Sequence, residues 1–237
     1  MQPSQPMHLP GVPPIRVARY GSGRRAVLYL PTSGGDVTEF ARYGLPEVLA
    51  PWADRYCIYA IDAHGPTTLF DDGLTPPERI ARYAKAERAI VDRVLPRIRE
   101  ESGAARIDLW GASYGAFVAA NLMLKVPKAI GDVLLLGGVF QMWHRLADFR
   151  DETGYFHMPL SYLPGLDDAE QLAAIRDRSI ELFAARDDSW LDESFALREI
   201  LDAKAIPHRF DLWESPHGHH ESTWRLQLAK SLALRHQ

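Results

Sequence analysis

The sequence predicts one α/β domain: a mostly parallel central sheet with helices on both faces and no large separate cap domain. Two observations carry this. Short apolar runs alternate along the chain with longer patterns of helical period, the order produced when crossover helices feed a parallel sheet. At 237 residues the chain has about the size at which a single domain buries roughly 70–75% of its unfolded surface. The composition, 46% hydrophobic, 24% charged and 10% aromatic, is that of ordinary globular proteins and excludes disordered, collagen-like and coiled-coil chains.

Taken in order, the β-branched or Leu-rich runs at 15–20, 26–31, 56–61, 106–110, 132–137, 179–184 and 208–213 predict strands. The best-signalled helix begins at Thr75, which offers an N-cap hydroxyl ahead of two prolines and Glu78 in the capping-box position. Ile80, Tyr83, Ala84, Ile90, Val91, Val94, Leu95 and Ile98 then recur at three- and four-residue steps, giving one apolar stripe, and Pro96 is expected to bend its end. Further helices are predicted at 37–50, 114–125, 192–204 and 223–234. Residues 1–14 carry five prolines and predict a lead-in that is flexible or orders only on contact, leaving 15–237 as the domain.

Residues 141–168 break the rhythm. They hold Met142, Trp143, His144, Phe149, Tyr155, Phe156 and Tyr162 with four Pro or Gly and no sustained period, which predicts a long loop. Because it follows the C-terminal end of a strand, where ligands bind in open α/β sheets, it is expected as a pocket-lining or lid-like insertion, against the plainer reading of an irregular packed excursion.

Lys plus Arg number 27 against 31 Asp plus Glu, a net charge of −4, so the electrostatic footprint of a nucleic-acid binder is missing. Cys57 is the only cysteine; no internal disulfide, zinc ribbon or redox pair can form, which fits a reducing, cytoplasmic setting and disfavours secretion. The N-terminal stretch MQPSQPMHLPGVPPIRV holds no apolar run long enough for a signal-peptide core or a membrane span, and no membrane span is expected.

The chemistry concentrates in Gly111-Ala-Ser113-Tyr-Gly115, which lies directly between the strand pattern RIDLW and the helix pattern YGAFVAANLMLK. The bare Gly-x-Ser-x-Gly pattern arises by chance in roughly one chain in fifteen of this length. Strand before and helix after make it a nucleophile elbow, a strained turn that exposes the serine above the sheet and needs glycines where a Cβ would collide with neighbours. The plain alternative is a structural glycine turn. Ala116, Ala119 and Ala120 let the following helix approach the sheet closely.

A serine hydroxyl is a poor nucleophile near neutral pH, so a base must take its proton and an acid must hold that base. In α/β-hydrolases the order along the chain is nucleophile, acid, histidine, with the acid after a late strand and the histidine before the last helix. Asp187 and Asp188 follow the strand pattern SIELFAA. Asp188 is chosen as the acid, Asp187 is read as a solvated turn carboxylate, and Asp192 as the cap of the helix that follows. His217, His219 and His220 crowd the base position, where the plain reading is a polar loop. A metal site is not expected, since no Cys or carboxylate cluster accompanies them.

An oxyanion formed on Ser113 needs two donors. The Tyr114 backbone N–H supplies the first. The loop after AVLYL, Pro31 to Asp36, supplies the second, with Ser33 preferred over Thr32 and Gly34; a phosphate-loop reading fails because the Lys-Ser/Thr ending is absent.

These residues resemble the esterase D-like esterases of the α/β-hydrolase superfamily, in the bacterial group described as esterase or polyhydroxyalkanoate depolymerase-like. The resemblance rests on LPTSGGDVTEF, IDAHGPTTLF, RYAKAERAIVDRVLPRIR, RIDLWGASYGAFVAANLMLKVP, LLLGGVF, ARDDSWLDES and AKAIPHRFDLWESPHGHHESTWRLQL. It implies an α/β-hydrolase fold, a nucleophile at Ser113, an acid at Asp188 and, from the register of Trp224-Arg225, a base at His219. The chain departs from the family pattern with Ala185 for a turn glycine and His220-Glu221 for the usual Asp-Trp.

The expectation is therefore a serine carboxylic-ester hydrolase working through an acyl-enzyme, with no cofactor, no metal and a small-molecule ester as substrate. Phe140, Met142, Trp143 and Trp190, beside strand ends, are the candidate apolar pocket residues, with Thr32 and Gly34 nearby, and suggest a hydrophobic acyl or alcohol group. A histidine base implies that hydrolysis declines as the imidazole protonates in mild acid. Two other readings are kept: an acyltransferase or a thioester hydrolase of the S-formylglutathione type on the same triad, and a non-catalytic protein of this fold that binds a ligand or partner.

Overall fold

Parallel strands covered on both faces are apolar along most of their length, and the central strands follow this, with Asp108, Asp132 and Glu181 lying only near their starts. The computed structural model describes residues 4, 15–62 and 64–237, together with the backbone of 7–9. Its strands are β1 Met7–Leu9, β2 Ile15–Tyr20, β3 Arg25–Leu30, β4 Tyr56–Ile61, β5 Ile107–Ala112, β6 Ile130–Leu136, β7 Ile180–Ala185 and β8 Arg209–Trp213. They form one sheet in the order β1-β2-β4-β3-β5-β6-β7-β8. β1 and β2 run antiparallel to their neighbours, and β4, β3, β5, β6, β7 and β8 are parallel to one another. Each residue of β4, β5 and β7 is buried.

Successive side chains of a strand point to opposite faces, so each strand feeds two cores. Leu28 and Leu30 join one cluster with Leu109, Phe117, Leu122, Leu182 and Leu197. Val27 and Tyr29 join the other with Phe40, Trp110, Phe183, Trp224, Leu228 and Leu232. The second face is covered by α1 Glu39–Arg42, α2 Leu45–Leu49 and the last helix, α10 Glu221–Arg235. The first is covered by α3 Pro76–Ala89, α4 Leu95–Ser102, α5 Tyr114–Lys125, α7 Pro159–Tyr162, α8 Ala169–Arg176 and α9 Leu191–Ala203, and α6 Glu152–Tyr155 packs on α3.

Where element and sequence pattern differ, the cause is local. The single helix expected at 37–50 is two short ones, because Gly44 between them takes a left-handed φ of 67°. α3 starts as predicted, with the Glu78 carboxylate accepting from both the Thr75 N–H and its hydroxyl. The helix continues through Pro96: one π turn over Ile90–Val94, just ahead of the proline, widens it, and it runs on as α4 until Gly103 at φ 68° stops it. The Pro-rich stretch 1–14 falls mostly outside the described residues, but Met7–Leu9 within it pairs with β2, a strand that proline-rich flanks conceal.

The stretch 141–168 is neither a free loop nor one helix. It folds into a 3-10 turn at Trp143–Leu146, then α6, α7 and a second 3-10 turn at Leu163–Gly165. Each short turn changes direction, which is why no period shows in the sequence. Met142, Leu146, Met158, Tyr162 and Leu163 all enter the first core. Asn121, fully buried on α5, ties the stretch down: its amide donates to the His157 carbonyl at 3.0 Å and its oxygen accepts from the Tyr162 hydroxyl at 3.1 Å.

The opposite end of the sheet, where the parallel strands begin, is laced by charge. Arg25 reaches Asp108 on β5 and Asp132 on β6; Arg235 joins Asp132 to Glu181 on β7; Arg209 joins Glu181 to Asp211; and Lys230 closes on Asp211 at 2.7 Å.

Replacing Asn121 with Ala leaves the Tyr162 hydroxyl and the His157 carbonyl without their buried partner, so a loss of about 2 kcal/mol is expected. Urea denaturation measures that loss, and limited proteolysis should then cut first within 141–168.

Candidate active site

The turn after β5 is shaped by what its glycines leave out. Ser113 has φ 54° and ψ −120°, a conformation costly for a residue with a side chain. A Cβ on Gly111 would overlap the Gly115 carbonyl, and one on Gly115 would overlap the Leu30 carbonyl of β3. The turn is fixed from the next strand as well, since the Ser113 N–H donates to the Leu136 carbonyl at 3.0 Å.

The structure brings Ser113, His219 and Asp188 together. Ser113 Oγ lies 2.8 Å from His219 Nε2, and His219 Nδ1 lies 3.0 and 3.1 Å from the two Asp188 oxygens. With the imidazole proton on Nδ1, the ring donates to the carboxylate and accepts from the hydroxyl, the hydrogen-bond order in which a serine can lose its proton to a histidine. Asp188 is buried, whereas Ser113 and His219 are partly open to solvent. Asp188 is itself held by the Trp190 N–H at 2.8 Å.

Asp187 does more than the solvated role expected of it. Though exposed, it accepts from the backbone N–H of Gly218 at 2.9 Å and of His217 at 3.2 Å, clasping the loop that carries His219. The Gly218 bond, joined by that from His217, holds its carboxyl below the usual range. The other histidines go elsewhere: the His217 ring packs on Trp213, and His220 caps α10 through the Ser222 N–H. Among the described residues no group of three or more His, Cys, Asp or Glu is placed to hold a metal ion.

Two further contributors were silent in the sequence. Trp224, used there only to set register, presents its ring edge-to-face to His219 at 5.0 Å. Gly137, at φ 49°, keeps the space beside Asp188 free, since a Cβ there would sit 2.8 Å from Asp188 Oδ2 and 2.7 Å from the Trp224 indole nitrogen. Only the strand-ending Gly-Gly pair could have hinted at it.

Of the loop residues expected to face an oxyanion, the Thr32 N–H is already committed to Glu39 at 2.9 Å. Ser33 is partly open, Gly34 is exposed, and Tyr114 starts α5 immediately after Ser113. Among the apolar pocket candidates, Phe140, Met142 and Trp143 are buried in the first core. The Trp143 indole donates to Ser161, and its rim borders a separate surface cleft with Arg150 and Tyr155. Trp190 is half-buried and stacks on the exposed His144 at 5.1 Å. Glu193 pins the start of the 141–168 stretch by accepting from the N–H groups of Phe140 and Gln141; burial pushes its carboxyl above the ordinary value.

No family model matches the chain. It is 30% identical over 125 residues to the dihydrolipoyllysine-residue acetyltransferase component of the acetoin cleaving system of Cupriavidus necator, a match that takes in 53% of this chain and 29% of that protein's length. A structure titled ferulic acid esterase superposes with a TM-score of 0.76 at 15% identity, covering 99% of this chain and 98% of that one. The S-formylglutathione hydrolase FrmB of Staphylococcus aureus gives 0.69 at 13% identity, with 98% and 94% covered. These likenesses show the α/β-hydrolase fold.

Gly115→Ala is expected to cost about 3 kcal/mol, because the methyl meets backbone on a neighbouring strand rather than a movable side chain; calorimetry measures it. Asp187→Ala tests the clasp through pH. A carboxyl lowered on folding adds stability above its unfolded titration and loses it as pH falls through the lowered value. The melting temperature of the variant should therefore lie below that of the wild type at neutral pH, and the gap should close only beneath the ordinary Asp range.

Proposed function

We propose that the protein is a serine carboxylic-ester hydrolase, with Ser113 as nucleophile, His219 as base and Asp188 as the acid that orients it. The observation that carries this reading is the continuous hydrogen-bond line from the Ser113 hydroxyl through His219 to buried Asp188. Ser113 attacks the ester carbonyl as His219 takes its proton. The N–H groups of Tyr114 and Ser33 receive the oxyanion, His219 returns the proton to the leaving alcohol, and water releases the acyl group by the same steps. The residues present suffice for this chemistry.

Membership of the esterase D-like group is part of the same reading, supported by the matching motifs and by the esterases among its structural neighbours. So is a cytoplasmic setting, supported by a lone cysteine that is buried. Among the described residues no helix is long and apolar enough to cross a membrane. Stretch 141–168, anchored by Asn121 and Glu193, serves in this reading as a fixed flank beside Trp190 rather than a swinging lid. The preference for a hydrophobic acyl or alcohol group rests in this reading on Trp190, since Phe140, Met142 and Trp143 belong to the core. Transfer to an acceptor other than water is the second reading, favoured by the acetyltransferase component among its relatives.

Intact mass after treatment with a fluorophosphonate, on wild type and Ser113→Ala, tests the proposal. A single adduct on the wild type and none on the variant is expected, together with p-nitrophenyl ester hydrolysis that falls by about 10⁴-fold or more in the variant. A wild type that neither labels nor hydrolyses overturns it. Added alcohols or thiols that divert product from acid to new ester or thioester would move transfer to the front.

A further inference from the structure

Glu39 is a carboxylate with no exposed surface, bonded to the turn that follows β3. Four observations describe its setting. Its Oε1 accepts from the Tyr29 hydroxyl at 2.8 Å and from the Thr32 N–H at 2.9 Å. Its Oε2 accepts from the Thr32 hydroxyl at 2.6 Å. A Cβ on Gly35 would overlap that same Oε2, so the chain folds around the carboxylate as only glycine permits. The Gly35 N–H donates in turn to the Thr32 carbonyl at 3.0 Å and closes the turn.

The geometry of the peptide unit converts these bonds into a direction. A trans peptide is planar, with its C=O and N–H pointing opposite ways. Glu39 fixes the N–H that enters Thr32, and Gly35 fixes the carbonyl that leaves it. The Thr32–Ser33 peptide plane is thereby set, and the Ser33 N–H is turned away from the Gly35 side. The Thr32 N–H is spent on Glu39 and cannot also face a substrate oxygen. Tyr29 remains a donor, because burial and the neighbouring Glu39 push its phenol far above its usual titration.

We infer that Glu39 is a positioning residue for the oxyanion hole: it holds the 32–35 turn so that the Ser33 N–H, and not that of Thr32, is the second donor to the reacting oxygen. The inference rests on the esterase reading. Its carboxylate never touches substrate; three hydrogen-bond donors and the Arg42 guanidinium, 3.7 Å from Oε2, balance its charge while it orders the loop. A preorganised donor acts on the transition state rather than on the bound ester, so disturbing Glu39 should lower kcat and leave KM nearly alone.

The experiment compares kcat and KM for a p-nitrophenyl ester, per site titrated by fluorophosphonate, in wild type, Glu39→Gln, Ser33→Pro and the double variant. In Glu39→Gln an amide N–H₂ opposes one of the donors, and a fall in kcat of about tenfold or more is expected, with KM within about twofold and the acid limb of the pH profile unmoved because His219 is untouched. Ser33→Pro removes the N–H itself and should cost about 10²-fold. In that background Glu39→Gln should add little, since both act through one donor. Tyr29→Phe removes a single partner of the carboxylate and carries the test if Glu39→Gln fails to fold; it should lower kcat in the same KM-independent way. Wild-type kcat in Glu39→Gln, or losses that multiply in the double variant, overturn the inference while the esterase reading stands. A wild type without hydrolysis or labelling overturns the esterase reading, and this inference with it.

Discussion

The close approach of β3, β5 and α5 at one turn is the constraint on which the reactive end depends. Ser113 holds a backbone conformation that a side-chain-bearing residue does not adopt unaided. It persists because the surroundings leave no alternative: Gly115 presses against the Leu30 carbonyl, Gly111 against Gly115, and the Ser113 N–H is tied to β6. The same proximity brings the start of the loop after β3, at Pro31, against Gly115. Strain and convergence of the site are two results of one piece of packing.

Around that turn, carboxylates do the work of ordering loops. Glu39 receives the N–H of Thr32, Asp187 those of His217 and Gly218, Asp188 that of Trp190, and Glu193 those of Phe140 and Gln141. These loops at the C-terminal edge of the sheet have lost the regular bonding of a strand, and in each of them an acid accepts N–H groups left over, whereas the Ser113 turn uses the Leu136 carbonyl. Hydrogen bonds to an ionised acceptor are shorter and stronger than neutral ones. Such loops hold their side chains in place without the cost of arranging them at the moment of reaction.

Much of this was legible in the sequence because it follows from periodicity and from chain order. The strand run before Gly111 and the helix after Gly115 fixed the setting of Ser113, and the slots after β7 and before α10 indicated where its partners lie. The choice between two adjacent aspartates is decided by burial, which alternation along a turn does not encode: Asp188 is turned in and Asp187 out. Glu39 was hidden because it reads as an ordinary polar residue at the start of a helix, and its inward turn depends on Gly35 and Tyr29, which approach from other elements. Residues 141–168 lacked a period because four short turns share them, and their order comes from Asn121 on α5 rather than from their own pattern. The apolar residues there proved mainly to be core, since aromatic and Met side chains fill space wherever the chain folds back.

The two edges of the sheet are secured by different chemistry. At the edge where strands begin, long cationic side chains bridge Asp108, Asp132, Glu181 and Asp211 across partly wet surface. At the edge where they end, short carboxylates grip backbone N–H groups. Both kinds of bond are close and directional, but only the first sets charge against charge, so dissolved ions bear on it through its more open members, such as Arg25 and Arg209. Global resistance to unfolding and the alignment of Ser113, His219 and Asp188 thus rest on separate sets of contacts. Changes of surface charge along the lower edge could adapt the chain to brine or to heat while the geometry above Ser113 stays as it is.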